Sequence, residues 1–574
     1  MNHKALKKIA GILMPVLLVV YSLILINQGL TVTDTGYNYG NYVNFASLDG
    51  MWKFSTYLAT AIGAFFTKLP LGNTVLGLNF YTGLVKAATA LVVYYFCVTR
   101  FEMKGWLVFL AELMALGYCW CPTALLYNYC TYFLFTLGGI LLCLAVKENK
   151  GRLYICAGIC LGINVLVRLP NLAEMSLICA LWLIAFIKKD RFCDTVKRTL
   201  LCILGYVTGM GGVLIYIFCK YGVSNYFTGI QQILAMPKEA GGYSLREMLY
   251  GDFLMYLQNL KWLWMTLSVV IIGTVLYAVK RQRFLVWKRI LYVTANVLLI
   301  FIFYKMNMFK FVYYNYDGVY TVGTFFLIIS GVLGLYILFF GGKEYELRMQ
   351  AMVVGIIILV TPLGSNNYLF TAVNNLFFVT PFVFRICHKW FADRSNAVDK
   401  RGYISPEPLK ITLLSMIIFT FVQGVLFGAT FVFRDGISGE KRSAQVENNS
   451  VLKGMYTTEK NAERLESLNG FLTENKMKGS EVILYKDVPA LAFYMELEPS
   501  LSTTWPDLAS FSTSKFEREL QELEEEVAAD VKRPMVILGC EPDFEEPKIN
   551  LLKDYMDRFE YKLVFSNDAF YVYF

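Results

Sequence analysis

The chain has 574 residues, of which 56% are hydrophobic and only 17% are charged, and its formal net charge is +9. Soluble globular proteins carry about 25% charged residues, so this composition excludes a protein whose surface faces mainly water. Apolar runs of roughly 18–22 residues instead indicate a multi-pass membrane protein. Most Lys and Arg residues lie in short loops between these runs, where they set topology, which argues against a nucleic-acid partner.

Hydropathy predicts about thirteen membrane spans. They lie near residues 9–30, 75–98, 106–121, 124–146, 153–168, 171–187, 199–219, 262–279, 289–304, 319–340, 350–363, 370–387 and 411–433. The first run is too long for a cleaved signal peptide, which favours a retained signal anchor. Basic clusters fall on every second loop. The positive-inside rule therefore predicts a plasma-membrane protein with a cytoplasmic N-terminus and an extracytoplasmic region after Phe433.

Two predicted outer loops, residues 31–74 and 220–261, are longer than a helix connection needs, which is typical of functional loops. In the first, Asp49–Leu69 predicts a helix lying in the membrane interface. In the second, Gly241 and Gly242 predict a hinge in a mobile segment. Residues 1–433 thus form a predicted transmembrane domain that carries both loops.

The last 140 or so residues, 434–574, change character and predict a small α/β domain on the outer face. Helical patterns alternate there with short apolar strands. The helices are predicted at 459–476, 490–495 and 514–531, and the strands at 481–485, 535–539, 564–565 and 570–573.

The cysteine and histidine residues offer few candidates for a functional site. Nearly all of the 13 cysteines lie in apolar segments, where a thiol packs as a small hydrophobic group. Because His3 and His388 are the two histidines of the chain, a histidine-rich metal site is excluded.

Two acids in the first outer loop are candidate catalytic residues. Asp34 follows the first span directly, where a lowered dielectric raises a carboxyl pKa toward the range useful for a general base. Asp49 is the second acid, and aromatic residues such as Tyr37 lie between the two, where a sugar ring would stack. The alternatives stay open: Asp34 as an interfacial loop acid, and Asp49 as a helix N-cap.

A cation at the outer edge of the membrane suits a lipid phosphate, because the guanidinium fork donates two parallel hydrogen bonds. Arg168 is the first candidate, with an intramembrane pair to Glu174 as the alternative. Arg246 and Lys305 are further phosphate candidates in outer segments. Polar residues that would contact substrate at the outer ends of spans are Asn128, Asn366 and Asn367.

The layout resembles the GT-C glycosyltransferases. An inside N-terminus, an acid just after the first span, interfacial helices in the first outer loop and an outer α/β domain carry the resemblance. Three outer-edge segments are similar to those of bacterial relatives: Val-Arg-Leu-Pro-Asn171, Tyr-Asn-Tyr-Cys-Thr131 and Pro-Leu-Gly-Ser-Asn-Asn367. The family includes protein O-mannosyltransferases, aminoarabinose transferases of lipid A and bacterial oligosaccharyltransferases.

The resemblance implies transfer of a sugar from a polyprenyl-phosphate donor to a cell-envelope acceptor on the outer face, with Asp34 as the base. The first loop has neither the adjacent Asp-Glu pair of the mannosyltransferases nor an Asp-x-Asp, so a divalent metal is not required by the sequence. A lipid or polysaccharide transporter is the alternative function, and a non-catalytic scaffold is a third. A transporter of this kind would show buried charges and an internal repeat.

Overall fold

The computed structural model describes residues 3–120, 122–240, 245–279, 284–313, 316–365, 367–392, 405–528, 533–539 and 546–574. Up to Thr430 these residues form a helical bundle, and a small mixed sheet covered by helices follows. The helices of the bundle are α1 (His3–Ser22), α2 (Asp34–Val43), α3 (Gly50–Ser55), α4 (Tyr57–Phe66), α5 (Val75–Thr99), α6 (Gly105–Tyr118), α7 (Tyr127–Glu148), α8 (Gly151–Val165), a 3-10 helix (Leu169–Ser176), α9 (Leu177–Lys188), α10 (Phe192–Tyr221), α11 (Val223–Ala240), α12 (Leu245–Ala278), α13 (Leu285–Lys305), α14 (Asp317–Phe340), α15 (Tyr345–Val360), α16 (Phe370–Asn374), α17 (Val379–Ala392) and α18 (Glu407–Thr430).

Every predicted span contains a helix, but the helices differ in length. Among the described residues, eight are long and apolar enough to cross a membrane: α5, α7, α9 with the preceding 3-10 helix, α10, α12, α13, α14 and α18. The helices α6, α8, α15 and α17 have only 14 to 16 residues. At 1.5 Å per residue they are shorter than the roughly 30 Å hydrocarbon layer. Each of the four hydropathy windows extends past one end of its helix, because it also includes neighbouring apolar residues.

Helices α8 and α10 pack closely, because glycines face each other's backbone. A Cβ at Gly158 would lie 2.0 Å from the carbonyl oxygen of Cys202, and one at Gly205 would lie 2.1 Å from that of Ile155. Both glycines open a small-xxx-small pattern, which brings helices together in membranes. The backbones of α8 and α10 are therefore in direct contact at these glycines.

The two segments predicted as outer loops, residues 31–74 and 220–261, contain several helices. Helical structure is confirmed in the segment predicted to lie in the interface, and it breaks at Thr56 into α3 and α4. Its position in the membrane interface stays a prediction. The segment 220–261 is largely the end of α10, all of α11 and the start of α12. The expected hinge at Gly241 and Gly242 lies outside the described residues.

The predicted C-terminal α/β fold is confirmed. Its elements are α19 (Glu459–Glu474), β1 (Glu481–Tyr485), α20 (Leu491–Tyr494), β2 (Glu498–Pro499), α21 (Thr513–Ala528), β3 (Met535–Leu538), α22 (Pro547–Arg558), β4 (Leu563–Ser566) and β5 (Tyr571–Tyr573). The sheet order is β2-β1-β3-β5-β4, with β1 parallel to β2 and β3, and β5 antiparallel to β3 and β4. The sequence analysis did not predict β2, which has two residues, or α22, although its buried Ile549, Leu552, Tyr555 and Met556 follow a helical spacing.

Candidate functional site

Asp34 is the first residue of α2, where the partial positive charge of a helix N-terminus favours a carboxylate. The side chain is half-buried. Just before it, the hydroxyls of Thr31 and Thr33 are 2.9 Å apart. Inside the helix, the side-chain amide of Asn38 donates to the carbonyl oxygen of Asp34 at 2.7 Å. The carboxylate is therefore held on a short, internally braced helix.

Hydrogen bonds from the C-terminal domain hold the segment that precedes Asp34. The Ala490 N–H donates to the carbonyl oxygen of Val32 at 2.9 Å, and the Tyr494 hydroxyl donates to that of Thr31 at 2.8 Å. A Cβ at Gly36 would lie 2.2 Å from the Cβ of Ala490, so α2 and α20 touch at a position where only glycine fits. Asp34 thus lies at the junction of the membrane bundle and the outer domain.

The surroundings of Asp34 shift the pKa of its carboxyl in opposite directions. Burial raises the pKa of its carboxyl above the ordinary value, and the negative charge of Asp487 adds to this. The positive charge of Arg434, the α2 backbone and the Thr33 hydroxyl lower the pKa. A carboxylate that is poorly solvated yet still ionisable is suited to accept a proton.

Arg434 follows the last membrane helix and has a left-handed backbone, with φ at +49°. This conformation is uncommon for a residue with a side chain. The next residue, Asp435, is 2% exposed and accepts hydrogen bonds from Thr457 Oγ1 (2.7 Å) and Asn461 Nδ2 (3.0 Å). Asn461 Nδ2 also donates to the carbonyl oxygen of Leu30 at 3.0 Å. The Asp435 network therefore ties the end of α18 to the segment before Asp34.

A groove lies between α4 and α10. It contains about 830 Å³ of empty space, has Phe45, Tyr57 and Tyr216 in its wall, and has Lys68 and Lys220 in its lining. Lys53 lies close to Lys220: burial lowers the Lys53 pKa, the charge of Asp49 raises it, and the charge of Lys220 lowers it. Positive charges of the groove and its edge would favour an anion nearby.

A second cavity lies between α1, α5, α6 and α18. About 720 Å³ of empty space is lined there by Gln28, Asn79, Lys86 and Phe433 among others. Lys86 lies within the apolar helix α5, where a lysine marks a functional position more often than a structural one. Tyr39 donates to the side-chain oxygen of Asn79, which links α2 to this cavity.

Arg168 belongs to a buried polar cluster and does not lie in either cavity lining. Its Nε donates to Asn171 Oδ1 at 3.3 Å, its Nη2 donates to the Leu363 carbonyl oxygen at 2.9 Å, and its guanidinium lies 5.2 Å from the ring centre of Tyr127. The expected alternative, an ion pair with Glu174, is not formed: Asn164 Nδ2 donates to Glu174 at 2.6 Å instead. Through its hydrogen bond to Leu363, Arg168 thus stabilises the turn before Gly364.

The N-cap alternative for Asp49 is confirmed. The Met51 N–H donates to Asp49 Oδ1 at 3.0 Å, and Lys515 Nζ of the C-terminal domain lies 3.3 Å from the same oxygen. These contacts hold α3 against the outer domain, and they give Asp49 a structural task.

The remaining expected site residues are dispersed. Tyr37 packs edge-on against Trp505 with ring centres 5.5 Å apart. Asn128 is 8% exposed at the start of α7. Arg246, Lys305 and Asn367 are exposed on α12, at the end of α13 and in the turn before α16. Asn366 lies outside the described residues. Of these residues, Tyr37 lies near Asp34: burial raises the pKa of Tyr37, and the charge of Asp34 raises it further.

The sequence analysis did not identify Arg434 as a candidate site residue, nor the lysines Lys53, Lys68, Lys86 and Lys220. Signals existed for two of them: Lys86 interrupts an apolar helix, and Arg434 is a cation on the outer side of the last span, against the positive-inside bias. Among the described residues, no group of three or more His, Cys, Asp or Glu is placed to hold a metal ion.

No protein-family model and no curated protein matches the chain. Among solved structures, an oligosaccharyltransferase from Archaeoglobus fulgidus in complex with Zn and sulfate is similar over 92% of this chain and 68% of its own, at 14% identity and a TM-score of 0.48. ArnT from Cupriavidus metallidurans bound to undecaprenyl phosphate is similar over 98% of each chain, at 10% identity and a TM-score of 0.43. The arabinosyltransferase EmbB from Mycobacterium smegmatis is similar over 72% of this chain and 40% of its own, at 12% identity and a TM-score of 0.33.

All three structures are GT-C glycosyltransferases, the type that the sequence resembles. With identities below 15% and TM-scores below 0.5, this similarity assigns no activity, substrate or site residue to the present chain. The polytopic helical fold with a small C-terminal α/β domain is a finding of the structure itself.

Proposed function

We propose that the protein is a glycosyltransferase that moves a sugar from a polyprenyl-phosphate donor to an acceptor hydroxyl on the outer membrane face. The observation that carries the proposal is the setting of Asp34. It is a half-buried carboxylate with a raised pKa, next to the charge of Arg434, on a segment held between the bundle and the outer domain.

In the proposed reaction, Asp34 accepts the proton of the acceptor hydroxyl while that oxygen attacks the anomeric carbon. The new glycosidic bond forms as the bond between the anomeric carbon and the phosphate oxygen breaks, and the polyprenyl phosphate leaves with the bonding electron pair. A single displacement of this kind inverts the anomeric centre. The positive charge of Arg434 lowers the pKa of Asp34 against the effect of burial, and so it favours the ionised form that acts as the base.

The donor phosphate is assigned to the groove between α4 and α10. Its lining combines aromatic and aliphatic side chains, which suit a prenyl chain at the membrane interface, with the ammonium groups of Lys68 and Lys220. Lys53 contributes a third positive charge close by. Concentrated charge of this kind stabilises a leaving phosphate. Arg168 is not given this task, because its Nε and Nη2 already donate to protein oxygens.

The donor site is tested with the purified protein in proteoliposomes that contain polyprenyl-phosphate sugars and a mixture of envelope acceptors, with release of polyprenyl phosphate as the readout. The double variant Lys68→Gln/Lys220→Gln is expected to raise the donor KM by about 10-fold or more, because two charge-assisted contacts are lost. The acceptor KM should stay near that of the unmodified protein.

Lys261→Gln is the matched control, since Lys261 is an exposed lysine of α12 that lies outside the groove lining. An unchanged donor KM in the double variant would remove the phosphate from this groove. If the unmodified protein moved a lipid across the bilayer without releasing polyprenyl phosphate, the transporter alternative would replace the proposal.

A further inference from the structure

A second basic cleft lies at the end of the bundle opposite Asp34. The hydroxyl of Tyr42 in α2 donates to the carbonyl oxygen of Leu125, so α7 begins beside the first outer loop. Helix α7 has 22 residues and is about 33 Å long, and the cleft lies at its far end, around Lys147. The predicted topology puts this end at the cytoplasmic leaflet.

Basic side chains from four parts of the chain converge on this cleft. Its described lining holds five basic residues and two acidic ones, around about 900 Å³ of empty space. The basic residues are Lys147 of α7, Lys188 of α9, Lys343 of the segment before α15, and Arg385 and Lys389 of α17. The positive-inside rule accounts for lysines in loops, but it does not require them to meet around one concave surface.

The two acids are already paired. Glu346 lies 2.8 Å from Lys147 Nζ and 2.6 Å from Arg385 Nη1, and Glu344 pairs with Lys389. Lys188 lies over the ring of Tyr345 at 5.4 Å, and Lys343 is exposed. Among the described residues, neither Lys188 nor Lys343 forms an ion pair with an acid. The cleft therefore keeps an excess of positive charge that its own carboxylates do not neutralise.

The walls of the cleft are apolar below this charge. Cys143, Val146 and Leu347 line it, and Phe186 and Phe340, near the ends of α9 and α14, are 83% and 74% exposed. A headgroup phosphate held by the lysines would thus have its acyl chains against exposed apolar side chains. Basic pockets between membrane helices on the cytoplasmic side are a recurrent form of anionic-lipid site.

We propose that this cleft binds the phosphate headgroup of an anionic phospholipid in the cytoplasmic leaflet, with Lys188 and Lys343 as its unpaired cations. The site is separate from the proposed donor groove and independent of the proposed function. The bound lipid would join α7, α9, α15 and α17 at their inner ends, and so it would stabilise the bundle.

The test uses the full-length protein in nanodiscs of phosphatidylcholine, with and without phosphatidylglycerol, and measures Tm together with lipid retention by native mass spectrometry. Phosphatidylglycerol is expected to raise Tm. The double variant Lys188→Gln/Lys343→Gln should bind it about 30-fold more weakly, since a basic residue near the surface contributes about a factor of five. The control variant Lys104→Gln/Lys197→Gln removes two exposed lysines at the same end, outside the cleft, and should keep the shift.

Two further arms separate the sources of phosphate. Pyrophosphate added to phosphatidylcholine nanodiscs should leave Tm unchanged; a rise equal to that with phosphatidylglycerol would assign the cleft to a soluble phosphate and overturn the lipid. The proposal is also overturned if phosphatidylglycerol gives no shift, or if both double variants lose it equally. Transfer activity is measured in parallel, and its presence or absence does not alter this reading.

Discussion

At the scale of single residues, two opposing influences set the protonation of Asp34. Burial favours the neutral form, and the positive charge of Arg434 favours the carboxylate. A base works only when it is ionised, so the rate of a reaction that depends on Asp34 should rise with pH through the pKa of Asp34. The left-handed backbone of Arg434 fits this view, because strained residues persist where the surrounding structure fixes them.

Arg434→Gln tests this balance. Removing the positive charge takes away the strongest of the influences that lower the pKa of Asp34, so this pKa rises further. The acidic limb of the kcat/KM profile is therefore expected to move to higher pH, with a smaller change on the alkaline side. Arg434→Lys, which keeps the charge, should restore the profile. An unchanged acidic limb in Arg434→Gln would mean that the charge of Arg434 does not act on the base.

At the scale of elements, the contact between α2 and α20 decides where Asp34 lies. The sequence predicted both partners: an acid after the first span and a short helix at 490–495. It did not predict their contact, since residues more than 450 positions apart carry no shared local pattern. The same holds for Arg434, whose role depends on how the last span returns beside the first. Asp49 differs, because its N-cap role is local and was foreseen as an alternative.

Gly36→Ala is expected to destabilise the protein by about 1–3 kcal/mol, since the new methyl group would overlap the Cβ of Ala490. Transfer activity should fall together with the stability, because α2, which carries Asp34, must shift away from Ala490. Gly40→Ala in the same helix is the matched control: a Cβ there meets nothing within 4 Å. Thermal unfolding of both variants in the same detergent measures the difference. Equal Tm values would show that α2 and α20 are not in close contact.

At the scale of the whole molecule, the apolar runs predicted a helix for every span, and alternating patterns predicted most of the outer domain. The predicted spans for the short helices α6, α8, α15 and α17 extend past one helix end, because hydropathy does not report where a helix ends. The groove lysines were missed for a related reason: Lys53, Lys68 and Lys220 belong to three segments that only the folded chain brings near one another.

The predicted orientation is a separate expectation. A C-terminal alkaline phosphatase fusion should be active, and a C-terminal green fluorescent protein fusion should be dark, because both report an extracytoplasmic end. The reverse pair of results would invert the topology, and it would put Asp34 and the proposed donor groove on the cytoplasmic face.

The central claim is that Asp34 is the base of a glycosyl transfer, and Asp34→Asn tests it most directly. The variant keeps the size of the side chain and loses the ionisable group, so kcat should fall by about 100- to 10,000-fold while Tm and donor binding stay close to those of the unmodified protein. Asp49→Asn, which retains an N-cap, should keep most of the activity. Full activity in Asp34→Asn, measured as polyprenyl phosphate released from a polyprenyl-phosphate sugar, would contradict the account.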